Sequence, residues 1–297
     1  MNKLIQRTFL VVAFLLGSTQ VFAQQLVSIK DLNTYDNLTE FNQDSIQAQA
    51  YNGVEVQFTA VIVSYPKSSG LATPTDDDGD GVIDRISRIH VFVTDTAAVT
   101  QGRDGMSIQL VESDYDLLEG FVRGDVVTFT GSLGFFNATA QVAVFTTEVL
   151  GNVNSEYPEY ASLLEPWEVT VDELNTLNED GTHEVNIANY GKYNGAYVKV
   201  TNAAVSNVSL GDRPNWAVSN SGSRIYVYDT SLRFRNDRVN YLPSYNYRHG
   251  DDVTFEPPAP GAIVNLSGFV NMVGDNPDGN VTAGSQAFSI NPFEDGY

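Results

Sequence analysis

The sequence has no cysteine. That excludes a disulfide framework, a zinc–thiolate site, a cysteine nucleophile and a lipid-attachment cysteine behind a leader. Histidine is scarce: His90, His183 and His249 are the only three, none spaced from another as metal ligands are. No H-E-x-x-H and no G-x-S-x-G occurs, so the usual zinc-hydrolase and serine-hydrolase signatures are missing. Basic residues are few, with 16 Lys and Arg against 37 Asp and Glu and a formal charge of −21. Such a field opposes broad, non-specific binding to nucleic acid or anionic membrane. Carboxylate pairs are so abundant that their spacing points to no glycosidase dyad. Long apolar runs are lacking too. The longest, Phe9–Leu16, is too short to span a bilayer comfortably.

That run has a different reading. Lys3 and Arg7 precede it, and Val21-Phe22-Ala23 follows it as a small-x-small cleavage pattern. Residues 1–23 therefore read as a secretory signal peptide, with Gln24 first in the mature chain. The expected location is secreted, extracellular or periplasmic. A secreted chain without disulfides depends on its core and, where one is available, on a metal.

What is present is a repeat. "VSIKDLNTYDN" (Val27–Asn37) resembles "VTVDELNTLNE" (Val169–Glu179), and "YNG" recurs at Tyr51 and Tyr193. Both pairs are 142 residues apart, a register that chance would not hold twice. "FTGSLGFF" (Phe129–Phe136) pairs with "LSGFVNMV" (Leu266–Val273) at 137, and Ser87-Arg88-Ile89 with Ser223-Arg224-Ile225 at 136. We expect domain 1 over 24–150, a linker over 151–168 and domain 2 over 169–297, with two separable domains.

Each copy reads mostly as strand. Val54, Val56, Phe58, Ala60 and Ile62 alternate with Glu55, Gln57 and Thr59, and Ile89, Val91 and Val93 and then Met106, Ile108 and Leu110 recur at every second position, the period-2 signature of half-buried strands. Short helices are expected at Ile29–Tyr35, Ser113–Leu118 and Val171–Asn178. About five strands, with a short helix between the third and fourth, suit a small closed barrel. The fold class is all-β: two tandem small OB-like β-barrels with short helices. The prolines at 257, 258 and 260 argue against regular pairing just before the fourth strand of copy two.

"GVEVQFTAVIVS…RIHVFVTD…GMSIQLV…LLEGFVRGDVVTFTGSLGFFNATAQV" resembles the OB-fold domains of secreted bacterial proteins, including multidomain surface proteins of Bacteroidota-like bacteria. Such domains often precede the catalytic domain of extracellular nucleases of the endonuclease/exonuclease/phosphatase type. The resemblance implies an OB barrel, and its nuclease branch implies an accessory role in binding nucleic acid or glycan. The nuclease domain itself is not in this sequence.

Two stretches carry binding chemistry. In "TPTDDDGDGVIDR" (Thr73–Arg85), Asp76, Asp78, Asp80 and Asp84 fit D-x-D-x-D-G-x-x-D, a spacing that resembles thrombospondin type 3 and dockerin calcium loops. Alternate carboxylates on a tight loop converge on one hard cation, and Gly81 permits the turn. The expected cofactor is one structural Ca²⁺; the plain alternative is a solvated acidic hairpin tip. Copy two has "SLGDRPNWAVSNSGS" there, without the motif. The second stretch, Ser223–His249, is locally basic in an acidic chain. Arg224, Arg233, Arg235 and Arg238 alternate with aromatic residues that include Tyr226, Tyr245 and Tyr247. Guanidinium groups beside aromatic faces are what OB-folds use to hold single-stranded nucleic acid or polysaccharide. The plain alternative is that these tyrosines pack the barrel wall. Arg123-Gly124-Asp125 spells an adhesion tripeptide, but Gly-Asp entering a strand is ordinary turn chemistry. The expectation is a secreted, non-enzymatic binding or scaffold protein. The competing expectation is the accessory module of a secreted nuclease system.

Overall fold

A computed structural model describes residues 25–35, 50–65, 73–75, 80, 85–87, 90–112, 117–118, 120–136, 139–179, 181–209, 215–228, 256–272 and 287–292. Each copy opens on the same small device. Ser28 caps helix α1 (Ile29–Leu32), its hydroxyl accepting from the Asp31 N–H while the Asp31 carboxylate accepts from the Ser28 N–H. Thr170 and Glu173 repeat this capping box at α3 (Val171–Leu174), satisfying N–H groups that a helix start leaves open. The helix N-terminus is then tied to the barrel. Asp95 accepts from the Ile29 N–H in copy one, and Asn220 accepts from the Val171 N–H in copy two.

Strands follow in the expected phase. β1 (Gln25–Leu26) pairs in parallel with β2 (Glu55–Ile62). A hairpin, β3 (Thr73–Thr75) and β4 (Arg85–Ser87), leads to β5 (His90–Asp95). Then come α2 (Ala98–Gln101), β6 (Ser107–Glu112), β7 (Asp125–Phe136) and β8 (Thr139–Asn152). The order is β2-β5-β6-β8-β7, and β7 pairs back onto β2 to close the sheet. Third and fifth strands, β6 and β8, run parallel. This is the five-stranded OB barrel. Val56, Phe58, Ala60, Ile62, Val91, Val93, Ile108 and Leu110 point into its core.

A 3-10 turn at Pro158–Leu164 and β9 (Trp167–Val169) lead to α3 and a small hairpin, β10 (Asn175–Leu177) and β11 (His183–Val185). After α4 (Tyr190–Tyr193) the second barrel is built from β12 (Tyr197–Ser209), β13 (Asn215–Ser219), β14 (Ile225–Val227), β15 (Ile263–Met272) and β16 (Phe288–Asn291). The order β12-β13-β14-β16-β15, with β13 closing onto β12 and β14 parallel to β16, repeats the first barrel. Trp216, Val218, Ile225, Val227, Phe288 and Ile290 line its interior.

The repeats are wired alike. Gly53 and Gly195 both sit at φ 73°, which glycine adopts without strain. Their N–H groups donate at 2.8 Å to equivalent fourth-strand carbonyls, Leu133 and Val270. Asn33 donates to the Ser107 carbonyl at the head of β6, and Asn175 to the Arg224 carbonyl at the head of β14. This equivalence corrects one match made from the sequence. Ile225 lies in the third strand and corresponds to Ile108, not to Ile89, which precedes the second. Three-residue matches recur among alternating strands, and the loop between first and second strands is much longer in copy one. The helices are single turns, shorter than expected, and the stretch 113–118 lies mostly outside the described residues. The prolines near 257 precede β15 and take no part in its ladder.

The stretch expected to be a linker is packed. Val153, Leu163, Tyr157, Tyr160 and Leu164 join Val61, Val63, Phe92, Met106 and Val126 from outside barrel 1, and Phe269 and Tyr197 from outside barrel 2, in a third apolar core. Arg103 donates to the Glu165 and Ser162 carbonyls, and Arg123 to that of Leu164. The barrels thus meet across a buried seam.

Candidate functional site

In OB barrels the ligand surface is the outer face of the second and third strands with the adjoining loops. In barrel 1 that face carries Phe92 and Thr94 from β5 and Ser107 and Gln109 from β6. All four are buried. Phe92 stacks on Phe269 of barrel 2, centroids 4.5 Å apart and planes at 13°. Thr94 and Ser107 satisfy each other at 2.9 Å, and the Gln109 amide bonds the His90 ring at 2.7 Å. The Gly105 N–H donates across the seam to the Lys192 carbonyl, and the Asn194 amide donates to the Asn33 side chain and the Ala140 carbonyl. At the far edge the Met272 N–H donates to the Thr139 hydroxyl at 2.9 Å. In barrel 1 the outer face of the second and third strands is therefore a contact with barrel 2 of the same chain. The sequence reading missed this, although a signal existed: Phe92 occupies the outward phase of β5, where alternation predicts a polar residue.

In barrel 2 the corresponding face carries Ala217 and Tyr226, partners in register between β13 and β14. Tyr226 is 5% exposed, with the Arg224 guanidinium 5.4 Å from its ring centre. The ring is already covered and would have to be uncovered to stack on a ligand. Arg224 sits at the edge of that face, and its carbonyl accepts from Asn175. Arg233, Arg235, Arg238, Tyr245 and Tyr247 lie outside the described residues.

The acidic loop is framed rather than seen. Thr75 and Arg85 are opposite partners in the β3–β4 ladder, which brings together the two ends of the stretch 76–84. Asp80 is exposed; Asp76, Asp78 and Asp84 lie outside the described residues. Among the described residues no three His, Asp or Glu side chains gather closely enough to hold a metal ion.

The adhesion-like tripeptide is locked into the seam. The Arg123 Nε donates to the Val63 carbonyl at 2.9 Å, and its guanidinium lies over Tyr65 and Tyr197. Asp125 accepts from the Val122 N–H and the Asn152 amide.

Titratable groups near the seam are shifted by local causes. Partial burial pushes the Glu173 carboxyl up, but bonds from Thr170 and the Tyr193 hydroxyl, with Lys192 nearby, bring it below its ordinary value. Tyr35 projects from the first copy against the core of the second, its ring 4.8 Å from that of Tyr190. Burial of both hydroxyls raises both groups above the usual tyrosine range, and for Tyr35 its neighbour Tyr190 adds to the rise.

No family model matches the chain, and no curated protein matches it. Among solved structures it is similar to a replication protein A heterotrimer bound to ssDNA. There the identity is 13%, covering 44% of this chain and 84% of that one, at TM-score 0.25. It is also similar to the Ifi202 HINa domain in complex with 20bp dsDNA, at 12% identity, 80% and 91% coverage and TM-score 0.32. Likeness this distant leaves strand order and barrel closure as the grounds for the fold: two tandem OB-like barrels.

Proposed function

We propose that the chain is a secreted, non-enzymatic binding or scaffold protein in which the two barrels act as one rigid body. The observation that carries this reading is the seam: the face by which an OB barrel ordinarily holds a ligand is, in barrel 1, given over to holding barrel 2. Barrel 1 then serves as a structural base. The groups left for ligands are its acidic hairpin tip and the Arg/Tyr segment that leaves barrel 2 after β14.

For the tip we propose a structural Ca²⁺ held by Asp76, Asp78, Asp80 and Asp84. The closed β3–β4 ladder supports this, because it joins both ends of a nine-residue stretch that carries five aspartates in sequence. Bound Ca²⁺ stabilises the folded chain by mass action. The melting temperature should rise with millimolar Ca²⁺ and fall with chelator, and Asp78→Ala with Asp80→Ala should remove the response. An unchanged melting curve in the parent protein sinks the calcium reading.

A second reading, an accessory module of a secreted nuclease system that holds single-stranded nucleic acid or polysaccharide, is favoured by one feature. Arg224 stands at the edge of the barrel 2 face and begins a run that includes Arg233, Arg235 and Arg238. Titrating oligonucleotides and acidic polysaccharides at low salt, with and without Ca²⁺, separates the two readings. Binding that weakens when those three arginines become Gln, with a shallower salt dependence, supports the accessory module. No binding to either class leaves the scaffold.

A further inference from the structure

The seam joins unlike surfaces, so in principle it could repeat without end. Barrel 2 offers a plug: the turn Tyr193-Asn194-Gly195, the head of its first strand and the facing tail of its antiparallel fourth strand. Barrel 1 offers a socket: the outer face of β5 and β6. Each barrel has the equivalent of both, yet among the described residues one plug and one socket are joined to each other. Register identifies what differs. In barrel 2 the plug pair is Tyr197 opposite Phe269, rings 4.7 Å apart and planes at 21°. The same two positions in barrel 1 are Glu55 opposite Ser132. In the socket, Phe92 lies opposite Gln109; the matching pair in barrel 2 is Ala217 opposite Tyr226. Three aromatic side chains that stack in sequence across the seam, Tyr197 on Phe269 on Phe92, are thus present on the joined halves and replaced on the unjoined ones.

The turns show the same division. Asn52, Gly53 and Glu55 are exposed, whereas Asn194 and Gly195 are buried. A Cβ at Gly53 would meet nothing within 4 Å, while one at Gly195 would lie 2.8 Å from the Ile108 Cα. The two turns share φ and hydrogen bonding, so their backbones do not distinguish them.

We propose that these three aromatics are the docking determinant between barrels in this chain. The barrel 1 socket fits an OB-like barrel that carries an aromatic pair where its first strand begins and its antiparallel fourth strand nears its end. Glu55 and Ser132 disarm the matching end of barrel 1, and the matching face of barrel 2 has Ala217 in place of Phe92 and is already covered, with Ala217 and Tyr226 both buried. The seam therefore forms once, in one direction, and copies of the chain do not extend head to tail through it. A carboxylate at position 55 opposes docking doubly, since burying it without a partner is costly.

The test moves barrel 1's residues into barrel 2 in the full chain, as Tyr197→Glu with Phe269→Ser. Small-angle scattering should show a larger maximum dimension, limited proteolysis should open a site within residues 153–166, and the melting temperature should fall by about 10 °C. Unchanged dimensions with the parent's resistance to cleavage overturn the proposal. Should the double variant not fold, Gly53→Ala and Gly195→Ala decide. Both impose the same backbone strain at φ 73°, and only the second intrudes on the seam. A clearly larger loss of melting temperature at Gly195 is expected; equal losses overturn the proposal.

Discussion

Asn175 shows how much one side chain does in this fold. It is 1% exposed, its amide donates to the carbonyls of Arg224 and Phe288, and its oxygen accepts from the Phe288 N–H. It joins the helical start of copy two to the third and fifth strands of its barrel. Asn175→Ala would leave buried backbone groups unsatisfied and should cost about 3 kcal/mol or more, read by denaturant unfolding. Asn33, its counterpart, spends its oxygen across the seam on Asn194, so Asn33→Ala should also loosen the contact between barrels. Tyr35 and Tyr190 make a separate prediction. Their folded-state values are raised above the unfolded tyrosine value of about 10. Their contribution is full below that pH and is lost as pH rises beyond it, because the unfolded chain releases protons the folded chain retains. Stability should decline above about pH 10, and Tyr35→Phe with Tyr190→Phe should flatten that limb. An alkaline limb identical in the double variant contradicts the assignment.

Among the elements, α3 has the clearest pH signature. The Glu173 value is lowered on folding, so its contribution is present above the unfolded value of about 4.3 and is lost as pH falls below it. Glu173→Gln should flatten the acid limb of stability, measured by urea unfolding from pH 6 to about pH 3. β8 illustrates a different control. Gly131 pairs with Val144 and Thr130 with Thr146, leaving Phe145 as a bulge; Val126 pairs with Gly151 and Val127 with Val149, leaving Leu150 as another. Both bulged residues are exposed. Bulges bend a strand and blunt its edge against pairing with other chains. Phe145→Lys and Leu150→Lys should therefore change stability by less than about 0.5 kcal/mol, which thermal melts of each variant would check. The strand phases of β2, β5 and β6 were legible in the sequence because each has one face in a barrel core. The bulges were not, since an extra residue does not alter composition and shows only in the register against β7.

For the whole molecule, duplication was legible from the shared "LN" and "YNG" spacing, and barrel closure from strand count. The seam was not, because it is made by residues that alternation assigns to solvent: Val61, Phe92, Val126, Tyr197 and Phe269. A period-2 pattern cannot distinguish an outer face that meets water from one that meets another barrel. The candidate sites were legible only as chemistry. The sequence marks where carboxylates and arginines cluster, while accessibility depends on neighbours distant in the chain, as the covered Tyr226 shows. Separable domains were expected from the repeat. The seam predicts instead that residues 24–150 alone, with Val61, Val63 and Phe92 uncovered, will be far less stable than the full chain and prone to associate.

The claim that the two barrels form one body is tested most directly by differential scanning calorimetry of the full chain. With a shared core between them, the account predicts a single transition whose calorimetric and van't Hoff enthalpies agree for the whole molecule. Two resolved transitions, or one whose van't Hoff enthalpy is about half the calorimetric value, would contradict it.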